Sequence, residues 1–126
     1  MKRIISTAKA PKAIGPYSQA IEINGFLYLS GQIPLHPDTG QLVNGGIKEQ
    51  TRQVMNNIGE ILKEAGYDFS DVIKSGCYLK DITDFQEMNE VYGEFYSGNN
   101  PVRSTFAVRD LPRGALIEIE TIAAKA

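Results

Sequence analysis

Ile47, Thr51, Val54, Met55, Ile58, Ile61, Leu62 and Ala65 recur at steps of three and four residues, which draws one apolar stripe along a helix of about five turns. Gly66 follows as a C-terminal stop. A helix of this kind cannot satisfy its stripe alone, and it needs a sheet to lie on. The flanking sequence supplies one. Ser18 to Ile23 and Phe26 to Ser30 are apolar-rich runs joined by Asn24-Gly25, the strongest short hairpin signal available to a chain. The second run ends in Ser30-Gly31, where a glycine lets backbone or ligand come close. Lys2 to Ser6 is a further short strand, and the stretch through Pro11, Gly15 and Pro16 is irregular.

Beyond the long helix, Val72 to Leu79 reads as a strand with Val72, Lys74, Gly76 and Tyr78 on one face and Ile73, Ser75, Cys77 and Leu79 on the other. Thr83-Asp84-Phe85-Gln86 has the form of a capping box opening a second helix, whose buried face is Phe85, Met88, Val91, Tyr92 and Phe95. Asn89 sits beside that stripe, and Gly98 with Pro101 ends the element. Two prolines and a glycine make 33–40 a loop, with His36 on its surface. The order is three strands, helix, strand, helix, two strands. That pattern predicts an α+β sandwich, a mixed and mostly antiparallel sheet with both helices on one face, in a single domain spanning 1–126.

The last quarter carries the chemistry. Ser104 to Arg109 and Ala115 to Ala123 are strand-like runs separated by Leu-Pro-Arg-Gly at 111–114, which predicts a hairpin with the permanent cation Arg103 at its mouth. Ile117, Ile119, Thr121 and Ala123 share one face, so Glu118 and Glu120 share the other, roughly 7 Å apart. Arg103 with either glutamate is a candidate anion-plus-water site, to be weighed against an exposed sheet face of solvated charges.

A net charge of -2 gives no reason to expect nucleic acid or an anionic membrane as partner. One cysteine, Cys77, allows no disulfide within the chain and belongs in a reducing, cytoplasmic setting as a small core residue. No Cys/His cluster offers a metal site. No apolar run approaches a membrane span, and the start lacks the apolar core of a signal peptide. One face of the sheet is left bare. Tyr28, Tyr78, Ile122 and the two glutamates share it, too apolar to be simply wet and too charged to be a core, and self-association sheet against sheet resolves the conflict.

Five blocks stand in the order and spacing of a known family: Ala10-Pro11-Lys12-Ala13-Ile14-Gly15-Pro16-Tyr17-Ser18-Gln19-Ala20, Ser30-Gly31-Gln32-Ile33-Pro34, Gln50-Thr51-Arg52-Gln53, Met88-Asn89-Glu90-Val91-Tyr92, and Pro101-Val102-Arg103-Ser104 through Glu118-Ile119-Glu120. The chain resembles the RidA/YjgF reactive-intermediate deaminases, also called the perchloric-acid-soluble translation inhibitor family. The resemblance implies a chorismate-mutase-like fold and a homotrimer with three sites at the subunit interfaces. It also implies hydrolysis of 2-iminobutanoate and 2-iminopropanoate, the imine products of pyridoxal-phosphate dehydratases, to 2-oxo acids and ammonia, with no cofactor and no metal. By the same resemblance Arg103 grips the substrate carboxylate, Glu118 holds and polarises the water, Ser30 and Gly31 line the pocket, Tyr17 closes it, and Asn89 bonds near the substrate or Arg103.

The chain departs from the family in carrying Thr105 where many members have a cysteine two residues after the arginine, which excludes cysteine chemistry at that position. Two rival readings belong to other classes. An RNA-directed translation inhibitor or ribonuclease needs a basic track and stacking aromatics, and a non-catalytic metabolite- or protein-binding regulator or chaperone needs the arginine without the glutamate.

Overall fold

The computed structural model describes residues 1–126. The first hairpin is formed by β2 (Ala20–Ile23) and β3 (Phe26–Gln32), and β1 (Arg3–Ile5) pairs with the outer side of β2. Asn24 and Gly25 both take positive φ, 51° and 80°, as the tight turn between twisted strands requires. Helix α1 (Ile47–Ala65) buries every residue of its predicted stripe, and Gly66 ends it in the left-handed conformation at φ 86°. Ile58 and Ile61 on that stripe are fully buried. Ile58→Ala is expected to cost about 3 kcal/mol, read as a lower denaturant midpoint at unchanged slope.

β4 (Val72–Leu79) follows, then α2 (Phe85–Glu94), β5 (Val102–Ala107) and β6 (Ile117–Ala124). The six strands form one sheet in the order β1-β2-β3-β6-β4-β5, antiparallel except for the parallel pair β4–β5. The expected α+β sandwich is the observed one. No helix is long and apolar enough to cross a membrane.

Two local expectations fail, each for a visible reason. The second hairpin does not form, because β4 lies between β5 and β6. The register is nevertheless that of the expected hairpin with a strand inserted: Gly76 stands opposite both Ser104 and Glu120, and Tyr78 opposite both Phe106 and Glu118. Leu-Pro-Arg-Gly is a short 3-10 turn instead, with Arg113 at φ 61° donating through Nη2 to the Gly40 carbonyl at 3.2 Å.

The capping box at Thr83 also fails. Asp81 accepts from both the Thr83 amide at 2.9 Å and the Thr83 hydroxyl at 2.8 Å, opening a 3-10 turn from which α2 continues without a side-chain cap at Asp84.

The core lies between the sheet and the two helices, with Ile117, Ile119, Cys77, Leu79 and Met88 fully buried there. Burial pushes the Cys77 thiol up to about 11, as a small inert core residue requires. The opposite face carries no helix. One row crosses all six strands on it, Ile4, Ile21, Tyr28, Ile122, Lys74 and Val102, and Tyr28, Ile4 and Val102 are exposed. The mixed apolar and charged face expected from the sequence is therefore present.

Candidate functional site

Glu118 rises from β6 onto the bare face, half-buried. Against it lies a fault in the neighbouring strand. β3 pairs Leu29 with Thr121 and Gln32 with Ile119, so three steps along β3 match two along β6 and the extra residue makes a bulge at Ser30-Gly31. The absence of a side chain at Gly31 lets the Glu118 carboxylate rest against the bulge. A Cβ at that position would overlap Oε2 of Glu118 and stand 2.9 Å from its Cδ. Burial, and then the charge of Glu120, raises the Glu118 carboxyl above the ordinary carboxylate range. Glu120 is engaged by the hydroxyl of Tyr78, which donates to Oε1.

Beside the bulge a cavity of about 230 Å³ is lined by Tyr17, Gly31, Gln32 and Ile33, among others. Tyr17 is half-exposed, and its hydroxyl accepts from the Ile14 amide at 3.3 Å. The loop bearing Tyr17 is pinned by buried Gln19, whose side chain accepts from the Thr7 amide at 2.7 Å and donates to the Pro11 carbonyl at 2.8 Å. Ser30 donates its hydroxyl proton to the Ser18 carbonyl at 2.6 Å, so only its lone pairs face outward chemistry.

Arg103 lies elsewhere. It stands opposite Ser75, which also stands opposite Thr121, and this is the side that the helices cover. There its guanidinium carbon sits 4.9 Å from the ring centre of Tyr92 and 5.6 Å from that of Phe85. It makes no ion pair with a carboxylate of its own chain. A cleft of about 360 Å³ opens here, lined by Arg103, Asn89, Tyr92, Gly93, Asn100 and Pro101. The side-chain oxygen of Asn89 is buried without a hydrogen-bond partner, as is the hydroxyl of Thr105 two residues from Arg103.

The pair expected as one site is thus divided within a single chain. Glu118 is level with Phe106, three residues from Arg103 and two strands away, and three residues is an odd step that puts the side chains on opposite faces. The separation is about 10 Å along the strands and about 10 Å across them. Arg103 with Glu118 or Glu120 of the same chain is no anion-plus-water site. The structure places the expected residues in two separate groups: Glu118 against Gly31 at the Ser30-Gly31 bulge, with Tyr17 lining the cavity beside it, and Arg103 with Asn89 in a cleft on the other side.

Sequence reasoning missed Gln19, Phe85 and Tyr92 as residues that hold these halves in place. Phe85 was expected in the core and is 38% exposed, because it faces the guanidinium. The signal was present in the spacing of Phe85, Asn89 and Tyr92, which is i, i+4, i+7 on one helix face.

The comparisons agree with this architecture. The profile of the endoribonuclease L-PSP family matches residues 7–125. The 2-iminobutanoate/2-iminopropanoate deaminase of Homo sapiens is 50% identical over 123 residues, covering 98% of this chain and 90% of that protein. The structure of YyfA from Yersinia pestis, of the conserved Rid protein family, is similar at TM-score 0.96 and 48% identity, covering 99% of this chain and 100% of that one. E. coli TdcF, solved with bound serine, is similar at TM-score 0.94 and 37% identity, covering 98% of this chain and 99% of the other. A match over nearly the whole length, in sequence and in fold, means that the chain belongs to the endoribonuclease L-PSP family, the Rid (RidA/YjgF) group that its five motifs resemble.

Proposed function

We propose that this protein is a cofactor-independent deaminase that hydrolyses 2-iminobutanoate and 2-iminopropanoate to 2-oxo acids and ammonia, in sites shared between copies of a homotrimer. The observation that carries this reading is the Arg103 cleft, where an unpaired guanidinium and the partnerless oxygen of Asn89 line one opening. A charged fork with free donors matches a small carboxylate bidentately. The human relative bears the name of this deaminase activity, and the serine in the E. coli structure is itself a small carboxylate with a nitrogen on the adjacent carbon.

The chemistry asks little of the protein. A protonated imine is already electrophilic, so it needs a held carboxylate, a directed water and a route for protons. In the proposed mechanism Arg103 holds the carboxylate and Glu118 of an adjoining copy takes a proton from water as its oxygen bonds to the C=N carbon. The resulting carbinolamine receives that proton on nitrogen, and its C–N bond breaks to release ammonia as the hydroxyl proton passes back to Glu118 and the carbonyl forms. A carboxyl raised by burial is a better base near neutral pH than an exposed one. Gly31 and the Ser30 lone pairs line the water side, Tyr17 closes it as an apolar wall with a polar tip, and Asn89 offers an acceptor to the imine N–H. The exposed apolar row on the bare face supports assembly into trimers. One domain over 1–126 and a cytoplasmic location, in keeping with the single free buried Cys77, complete the reading.

The family description favours a second reading, endoribonuclease. Against it stand the net charge of -2 and the pairing of Arg3, Lys48 and Arg52 with glutamates, which takes those cations out of any basic track. A threonine dehydratase coupled to this protein distinguishes the two. We expect faster decay of 2-iminobutanoate in proportion to added protein, and no cleavage of a single-stranded RNA. Equal decay with and without the assembled protein would remove the deaminase reading; RNA cleavage in its place would establish the second.

A further inference from the structure

We infer that Phe85 and Tyr92 are positioning residues that clamp the Arg103 guanidinium between two aromatic rings, so that its N–H edge alone is presented to a ligand. The inference deepens the deaminase reading in what the cleft binds, while the clamp itself rests on geometry. Arg103 stands on β5, an edge strand of the sheet, where a long side chain would ordinarily sample many rotamers. Residues seven apart on a helix stand about 10 Å apart along its axis. The guanidinium carbon is 5.6 Å from the Phe85 ring centre and 4.9 Å from that of Tyr92, within cation–π reach of both. Asn89, between them on the same helix face, faces the same cleft.

The placement of Phe85 indicates that its ring serves the guanidinium, while Tyr92, buried in the hydrophobic core, also turns its ring to the cation. Phe85 is 38% exposed although it sits on the inner stripe of α2, so burial of apolar surface does not account for its placement. The ring of Tyr92 is held on its other side by Tyr96, their centres 4.9 Å apart, which fixes it against the guanidinium. What both rings share is the cation, attracted to their negative faces. With those faces occupied, the five N–H donors radiate in one plane and meet a planar carboxylate edge to edge. Ordering of the side chain then precedes binding, and less rotamer freedom is lost when the ligand arrives.

The test combines side-chain NMR of Arg103 Nε–H in the full-length assembled protein with titration of 2-oxobutanoate and steady-state imine hydrolysis. Native Arg103 is expected to show an order parameter near that of rigid backbone, about 0.85, against below about 0.6 for a flexible group such as exposed Arg109. Phe85→Leu and Tyr92→Leu are each expected to lower it, weaken 2-oxobutanoate binding and raise KM about five- to tenfold, with kcat within about twofold. Tyr92→Phe restores both order and KM, since it keeps the ring.

A native Arg103 as mobile as Arg109, leucine variants with unchanged order and KM, or a Tyr92→Phe as defective as Tyr92→Leu would each overturn the clamp. Phe85 lies outside the core, so its variant reports even where Tyr92→Leu misfolds. Should the native protein turn over no imine while Phe85→Leu still loosens Arg103 and weakens 2-oxobutanoate binding, the deaminase reading fails and the clamp stands.

Discussion

Arg103→Ala and Glu118→Gln, each inactive alone, are expected to recover about a quarter of native deaminase activity when refolded together in equal amounts. Each single loss should reach at least about a hundredfold in kcat/KM, since in the proposed mechanism one variant lacks the carboxylate clamp and the other the group that directs water. Recovery follows from where the two groups emerge. Arg103 shares a face with Ser75 and Thr121, whereas Glu118 shares the opposite face with Tyr78 and Phe106. No side-chain rotation carries one through the sheet to the other.

In the proposed mechanism a working site takes its arginine from one copy and its glutamate from the next. In a random mixture half of the copies retain each group, so about one interface in four receives both. Were catalysis completed within a chain, the mixture would stay as dead as its components. Size-exclusion chromatography of each variant, of the mixture and of native protein supplies the control for assembly.

This division was partly legible in the sequence. The bounds of α1 and β4 were read correctly, and burial repeats at 3.6 residues in α1 as its residues mark it; in β4 the faces of Val72 and Ile73 were read the wrong way round, because a register irregularity between Val72 and Lys74 turns Val72 into the core and leaves Ile73 exposed. Strand order is not a local property. The runs at β5 and β6 carry a turn between them and look like hairpin arms, and nothing in their own residues announces that β4 inserts between them. The parity, however, survives the insertion, since Phe106 stays level with Glu118. Counting back three from Phe106 would have placed Arg103 on the inner face in either topology. Arg103 and Glu118 were named from the strand pattern and again through the family motifs, Tyr17 and Asn89 through the motifs alone, while the aromatic pair around Arg103 was hidden because Phe85 and Tyr92 read as ordinary core at helical spacing. The bulge at Ser30-Gly31 was foreshadowed by the glycine alone.

Gly31→Ala is expected to lower kcat/KM about a hundredfold while leaving the melting temperature within a few degrees of native. An added methyl would overlap Oε2 of Glu118 and meet Cδ at 2.9 Å, and the obstacle is the free end of a flexible side chain, not backbone. The carboxylate moves and the fold stays. In the proposed mechanism Glu118 directs water, and a displacement of about 1 Å in such a group is enough for a loss of this size. Displacement toward solvent also removes part of the burial that raises the Glu118 carboxyl, so the acid limb of the rate profile should shift to lower pH in whatever activity remains.

The linkage to stability has a definite sign. A carboxyl with a raised folded-state pKa is stabilising below its unfolded value, and that contribution is lost as pH rises through the folded one. Native protein holds Glu118 against this cost at neutral pH. Gly31→Ala should therefore flatten the fall in stability with rising pH through the carboxylate range, which urea denaturation at a series of pH values will read. A Gly31→Ala protein with native kcat/KM and a native pH profile would mean that the Glu118 carboxylate need not rest against the bulge for catalysis to proceed.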